Sequence, residues 1–115
     1  MTRPEDRLDD ILRAARDAAD LTSRGKAAYE ADRLLQRAAK NIVAEIGEAA
    51  KAVPAQVLDQ ITGVPWRAVK GMRDRVMHDY PEVDLDILWD TLATSIPALA
   101  GRILAFRQTP PGTDL

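Results

Sequence analysis

The sequence predicts an all-α protein. Only 4% of its residues are aromatic, while alanine and leucine are abundant, so we expect a core of closely packed helices rather than of aromatic strands. Apolar residues recur every three or four positions over long stretches, which is the period of an amphipathic helix. The sequence contains no strand-like alternation and no internal repeat. Together these observations predict a single helical domain.

The first half of the chain is predicted to form two helices. The first spans about residues 4–21, with Pro4 in its first turn, and the second spans about residues 27–53, where Pro54 limits its extension. Gly47 lies inside the second helix, where glycine costs about 1 kcal/mol relative to alanine. A second backbone that packs closely against Gly47 would explain a glycine at this position, so we interpret Gly47 as a helix-crossing point.

The middle of the chain is predicted to contain two further helices joined by a turn. Residues 55–61 could form a short helix, and residues 62–64 a turn that leads into a helix starting at Pro65. That helix carries Arg73 and should fray over residues 78–80, because Pro81 biases the residue before it away from the helical conformation.

The last helix is predicted to begin near Asp84, with Asp84 or Asp86 as its cap, and Pro97 is expected to kink it. Its apolar residues repeat at helical spacing, at Leu85, Leu88, Trp89, Leu92, Ile96, Leu99, Ala100 and Ile103. We expect the helical domain to span residues 1–107, and residues 108–115 to form a frayed or disordered tail.

Composition restricts the classes of function. At 115 residues the chain fits one domain, and the absence of cysteine excludes disulfides and cysteine-based zinc sites. The N-terminus lacks the apolar segment of a signal peptide, and no uncharged stretch is as long as a membrane span, so we expect a soluble, cytoplasmic protein. The net charge of −2 argues against a protein that coats nucleic acid without specificity.

Chemistry is expected near the one histidine of the chain, His78. Arg73, His78 and Tyr80 lie within eight residues, preceded by the cations Arg67 and Lys70. Histidine exchanges a proton near neutral pH, and arginine is a permanent cation shaped to bind phosphate oxygens. The combination suits phosphodiester cleavage. A solvated helix face is the simpler interpretation of the basic run, and the run can serve both roles.

Residues 63–80 and 83–91 resemble the signature of the HepT-like ribonuclease toxins of the HEPN superfamily. The resemblance includes an Arg-x4-His-x-Tyr motif at Arg73, His78 and Tyr80, and the stretches Pro-Trp and Gly-Met-Arg-Asp before it. The stretch Val-Asp-Leu-Asp-x-x-Trp-Asp follows the motif, and residues 46–50 match a further family stretch. Pro81-Glu82 departs from the Phe-Gly of many relatives, in a turn outside the motif residues.

The resemblance implies an antiparallel helical bundle that forms a homodimer, with paired motifs facing one cleft. On an ideal helix Arg73 and His78 lie about 140° apart and do not share a face, so a second subunit or an unwound helix end is needed. His78 would act as general base or acid for the attack of a ribose 2′-hydroxyl on the adjacent phosphate, and Arg73 would stabilise the charge that develops on the phosphorane. Asp74, four residues before His78, could orient the imidazole or form a simple surface pair. This route needs no metal and no cofactor.

The resemblance also implies a partner. Such a protein is the toxin of a type VII-like toxin–antitoxin pair, and a minimal nucleotidyltransferase antitoxin transfers AMP to the tyrosine that corresponds to Tyr80. Without the resemblance, Tyr80 would be interpreted as a packing residue. Trp66 and Trp89 are assigned to the core or to a dimer interface, although an exposed Trp66 could stack on a base.

Two other classes of function stay open. Residues 55–61, the turn at Gly63 and the basic helix from Pro65 resemble a helix-turn-helix DNA reader, although the net charge and the apolar residues Val69 and Met72 argue against it. The chain could also be a catalytically silent helical dimer that only binds a nucleotidyltransferase.

Overall fold

The computed structural model describes residues 3–78 and 84–108, apart from the side chains of Met77 and His78. The described residues form helices and contain no strand, which confirms the all-α prediction. The helices are α1 (Pro4–Ser23), α2 (Lys26–Ala31), α3 (Arg33–Lys51), α4 (Ala55–Leu58), α5 (Trp66–Lys70), α6 (Met72–His78), α7 (Leu85–Asp90), a π-helical segment (Thr91–Ser95) and α8 (Ile96–Gln108).

Helices α1 and α3 form the central pair of the fold. α1 packs against α3 on one side and α8 on another, while α3 also contacts α5, α6 and α7. The predicted first helix is confirmed, since α1 begins at Pro4 and ends two residues beyond the predicted limit. Its buried side chains repeat at helical spacing, at Leu8, Ile11, Ala14, Ala18 and Leu21. α3 continues this core with Ala39, Ile42, Val43, Ile46, Ala49 and Ala50.

The predicted second helix is interrupted at Asp32. There the backbone is extended, with φ −126° and ψ 108°, and the Asp32 carboxylate accepts the backbone N–H of Leu34 at 2.8 Å. Asp32 is therefore the N-cap of α3, and the single long helix that we predicted is two helices. The side-chain amide of Gln36 donates to the carbonyls of Tyr29 and Glu30, both at 3.1 Å, and so satisfies groups freed by the break.

The prediction of a helix crossing at Gly47 is confirmed. A Cβ atom added at Gly47 would lie 2.8 Å from the backbone nitrogen of Arg73 and 3.2 Å from the carbonyl oxygen of Val69. The backbones of α3 and of the α5–α6 region thus meet directly at this point. Because the neighbouring atoms belong to the backbone, they cannot move aside as a flexible side chain would.

The helix predicted from Pro65 is also interrupted, at Gly71. The N–H of Gly71 donates to the carbonyl of Arg67 at 3.2 Å and closes α5, and the carbonyl of Gly71 accepts from Arg75 in the first turn of α6. Nη2 of Arg75 donates to the carbonyl of Ala68 at 3.0 Å, so this carbonyl is satisfied beside the break. The predicted short helix over residues 55–61 is shorter than expected, because α4 ends at Leu58.

The start of the last helical region agrees with the prediction. Oδ1 of Asp84 accepts the N–H groups of Asp86 at 2.9 Å and Ile87 at 3.1 Å, so Asp84 is the N-cap of α7. A π-helical segment ends at Ser95, two residues before Pro97, and the kink expected at Pro97 stays a prediction. A proline ring needs space beside the carbonyl four residues earlier, and a widened turn provides that space. The region ends at Gln108, and residues 109–115, most of the predicted tail, lie outside the described part.

Tyr29 connects α2 to α7. Its buried ring lies 5.1 Å from the ring of Trp89, and its hydroxyl donates to the carbonyl of Leu85 at 2.8 Å. Nζ of Lys26 and Oδ1 of Asp86 form an ion pair at 3.3 Å beside this contact. Trp66 packs partly against the core, and its Nε1 donates to the carbonyl of Ile61 at 3.1 Å. Among the described helices, none is long and apolar enough to cross a membrane.

Gly47→Ala should destabilise the fold by about 1–2 kcal/mol, because overpacking against backbone atoms exceeds the gain in helix propensity. Gly101→Ala is the matched control, since a Cβ at Gly101 meets nothing within 4 Å, and it should stabilise α8 by up to about 1 kcal/mol. Urea unfolding of both variants and of the wild type gives the differences in the free energy of unfolding. Equal stabilities for the two variants would contradict the close approach at Gly47.

Tyr29→Phe should lower stability at pH 7 by about 1 kcal/mol through the lost hydrogen bond to Leu85. Burial, followed by the charges of Asp86 and Asp84, raises the pKa of Tyr29 to about 12. The unfolded phenol loses its proton near pH 10, so this stabilisation is complete below about pH 10 and declines as the pH rises towards 12. Urea unfolding at pH 7 and pH 10.5 should show the gap between wild type and variant narrowing. A gap that stays constant or widens contradicts the assignment.

Candidate active site

Arg73 lies at the crossing of α3 and α6. Its backbone nitrogen is the atom closest to a Cβ built at Gly47, so the packing of two helices fixes the start of its side chain. The side chain is 42% exposed. The fold thus holds the backbone of Arg73, while its guanidinium remains accessible to a ligand, as a phosphate-binding group requires.

A carboxylate from α3 accompanies this guanidinium. Nε of Arg73 lies 3.2 Å from Oε2 of Glu48, the residue that follows the crossing glycine. Nη1 of Arg73 lies 3.9 Å from Oδ1 of Asp74, beyond the distance of a hydrogen bond. Arg73 is therefore paired chiefly with Glu48, across the helix crossing.

Asp74 has a partner of its own on α3. Its two carboxylate oxygens lie 3.4 and 3.5 Å from Nζ of Lys51. Glu48 and Lys51 on α3 thus face Arg73 and Asp74 on α6, and we call these four residues the crossing network. Exposed ion pairs of this kind contribute at most about 1 kcal/mol each, so the crossing network adds little to the stability of the fold. The predicted partnership of Asp74 with His78 stays a prediction.

The structure places two of the predicted site residues on one short helix. Arg73 is the second residue of α6 and His78 is the last. The side chain of His78 lies outside the described part of the structure, and so does the whole of Tyr80. The expected meeting of the three side chains therefore stays a prediction.

The basic run around the site is only partly neutralised. Arg75 donates to a backbone carbonyl, whereas Arg67 and Lys70 make no ion pair within residues 3–78 and 84–108. Arg67 is exposed, and Lys70 is partly exposed. These two cations lie on α5, which directly precedes α6, and can attract a polyanion.

Two grooves run along the seam between α1 and α3. The larger, of about 530 Å³, is lined by polar side chains that include Arg7, Asp17 and Glu48. The smaller, of about 300 Å³, lies along the same seam and shares Asp17 and Glu45 with it. Glu48 thus borders the larger groove and also contacts Arg73.

Sequence reasoning missed the pairing of Glu48 and Lys51 with the motif helix. Both residues follow Gly47, one directly and the other four positions later, so they lie one helix turn apart, which is a usable signal only once the glycine is recognised as the crossing point. Their partners are more than 20 residues away in the chain, so no local pattern links them.

The comparison with protein families identifies the class of the chain. The model of the family described as "Ribonuclease HepT-like" matches residues 11–105, which include the Arg-x4-His-x-Tyr motif. The chain therefore belongs to the HepT-like ribonuclease family, and the resemblance found in the sequence is confirmed.

Curated relatives agree with this assignment. A protein named "Putative RNase" from Caldanaerobacter subterraneus subsp. tengcongensis is 36% identical over 77 residues, which cover 67% of this chain and 69% of the relative. One named "Probable ribonuclease HepT" from Thermococcus cleftensis is 38% identical over 63 residues, 55% of this chain and 57% of the relative. A "Putative RNase" from Methanocaldococcus jannaschii is 30% identical over 91 residues, 78% of this chain and 75% of the relative. No solved structure matches the chain. Family and relatives together support a ribonuclease.

Proposed function

We propose that this protein is a metal-independent endoribonuclease and the toxin of a type VII-like toxin–antitoxin pair. The observation that carries the proposal is the placement of Arg73, a half-exposed cation whose backbone is locked at the crossing of α3 and α6. Membership of the HepT-like ribonuclease family supports an RNA substrate.

The proposed reaction is a transesterification within the RNA. His78 removes the proton of a ribose 2′-hydroxyl, and the 2′-oxygen forms a bond to the adjacent phosphorus. Arg73 stabilises the negative charge on the phosphorane oxygens. The bond from phosphorus to the 5′-oxygen then breaks, and that oxygen takes up a proton. The products are a 2′,3′-cyclic phosphate and a 5′-hydroxyl, and no metal takes part.

The active species is proposed to be a homodimer. Arg73 and His78 are five residues apart on α6, so their side chains leave an ideal helix about 140° apart. Arg73 and His78 can contact the same phosphate more readily when the motif of a second subunit faces that of the first. In this arrangement the Asp74 carboxylate, which is paired with Lys51, would also accept a hydrogen bond from the imidazole of His78 and so help to orient it.

Neutralisation is proposed to act through Tyr80. A minimal nucleotidyltransferase would transfer AMP from ATP to the Tyr80 hydroxyl and release pyrophosphate. The new phosphodiester would place an anion near Arg73 and an adenosine in the cleft. Charge and volume would then both oppose the binding of RNA.

Arg73→Ala and His78→Ala should each abolish or strongly reduce RNA cleavage, by about 10²–10³-fold for the arginine, while the fold is retained. Arg37→Ala is the matched control, because it removes an exposed cation of α3 that makes no ion pair within the described residues. Cleavage by the wild type should persist in EDTA and leave a 2′,3′-cyclic phosphate. Light scattering should give the mass of two chains.

The opposite results would separate the alternatives. Full activity in His78→Ala would overturn the mechanism, and loss of cleavage in EDTA would overturn the metal-independent route. A dimer without ribonuclease activity that still binds the nucleotidyltransferase would indicate the silent binding protein. Sequence-specific binding to duplex DNA would indicate the helix-turn-helix reader, although α4, with four residues, is short for that motif.

Tyr80→Phe should keep much of the ribonuclease activity but escape neutralisation by AMP transfer. Intact mass after incubation with the antitoxin, ATP and magnesium should show one AMP per wild-type chain and none on the variant. Peptide mapping has an internal control, since Tyr29, the second tyrosine of the chain, is fully buried. AMP on another residue, or equal silencing of Tyr80→Phe, would remove Tyr80 from this role.

A further inference from the structure

Glu48 is placed to control the guanidinium of Arg73. It follows Gly47 directly, so its backbone lies beside the helix crossing at which the backbone of Arg73 is held. Its Oε2 lies 3.2 Å from Nε of Arg73, with the two side chains 65% and 42% exposed. Two backbones held by one crossing thus present an anion and a cation to each other.

A carboxylate beside Nε affects the orientation in which an arginine binds a phosphate. The arginine side chain has several rotatable bonds and loses considerable freedom when its planar group is held. With Glu48 near Nε, the Nη atoms remain for a ligand, and neither makes a hydrogen bond within the described residues. Asp74, the other neighbouring acid, is itself paired with Lys51.

A purely structural role explains this ion pair poorly. Both partners are substantially exposed, so solvent screens their attraction and the pair adds little to the stability of the fold. The pair also reduces the attraction of Arg73 for a phosphate in the ground state. An interaction that orders a catalytic group while weakening ground-state binding is useful mainly in the transition state.

We propose that Glu48 is a positioning residue for Arg73, which orients the guanidinium towards the phosphate that is cleaved. This inference rests on the proposed ribonuclease function and adds to it a residue outside the Arg-x4-His-x-Tyr motif. Glu48 does not touch the substrate and acts only through Arg73.

Glu48→Gln removes the charge and keeps the shape of the side chain. We expect kcat for RNA cleavage to fall about 10-fold, because a guanidinium that is no longer held spends less time in the productive orientation. The Kd for an RNA with a 2′-deoxyribose at the cleavage site should stay the same or decrease, because one anion beside Arg73 is gone. Urea unfolding should give a midpoint close to that of the wild type.

Glu45→Gln is the matched control. Glu45 lies one turn earlier on α3, borders the same groove and accepts a hydrogen bond from Asn41 at 3.0 Å, so the variant makes the same charge change away from Arg73. Its kcat should equal that of the wild type. An equal loss in both variants would show that net charge, and not the contact with Arg73, sets the rate.

A double-mutant cycle tests whether Glu48 acts through Arg73. In the Arg73→Ala background, Glu48→Gln should cause no further loss in single-turnover cleavage. A kcat of Glu48→Gln equal to that of the wild type, or a full additional loss in the Arg73→Ala background, would overturn the inference. Glu48→Asp, which keeps the charge on a shorter stem, should give an intermediate kcat and serves if Glu48→Gln does not fold.

The same experiment separates this inference from the proposed function. If Arg73→Ala abolishes cleavage and Glu48→Gln has no effect, only the role of Glu48 is wrong. If the wild type does not cleave RNA, or Arg73→Ala cleaves it normally, the proposed function fails and the role of Glu48 fails with it.

Discussion

The direct contact between the backbones of α3 and α6 at Gly47 is the constraint on which the candidate site depends. A single methyl group there would lie 2.8 Å from the nitrogen of Arg73, so the distance between the two helices requires a residue without Cβ. A glycine within a helix costs about 1 kcal/mol relative to alanine. The close approach of α6 explains why a residue without Cβ stands at this position. The fold and the candidate site share this one contact.

The charges around the crossing follow from that geometry. Because α3 and α6 touch at Gly47, the residues on either side of the contact are brought into reach, and Glu48 and Lys51 meet Arg73 and Asp74. The network is weak as a source of stability, since all four side chains are substantially exposed. Under the proposal made for Glu48, the consequence of the network is the orientation of the Arg73 guanidinium.

The sequence was sufficient to predict those features that depend on local pattern. Helical periodicity and the capping aspartate predicted α1 and the start of α7, and the unusual glycine predicted the crossing. The break at Asp32 was missed because apolar residues continue at helical spacing on both sides of it, so periodicity outweighed a valid N-cap signal. Glu48 was missed as a partner of Arg73 because the contact joins helices that are distant in the chain, and only tertiary packing brings them together.

The helices before and after residues 79–83 are each anchored by contacts among the described residues. The start of α6 is held against Gly47, and the start of α7 is held to α2 by the hydrogen bond from Tyr29 to Leu85 and by the ion pair of Lys26 with Asp86. None of these contacts uses residues 79–83. The start of α6 is therefore positioned by packing against α3, and the start of α7 by contacts with α2, so two different parts of the fold fix the helices on either side of residues 79–83.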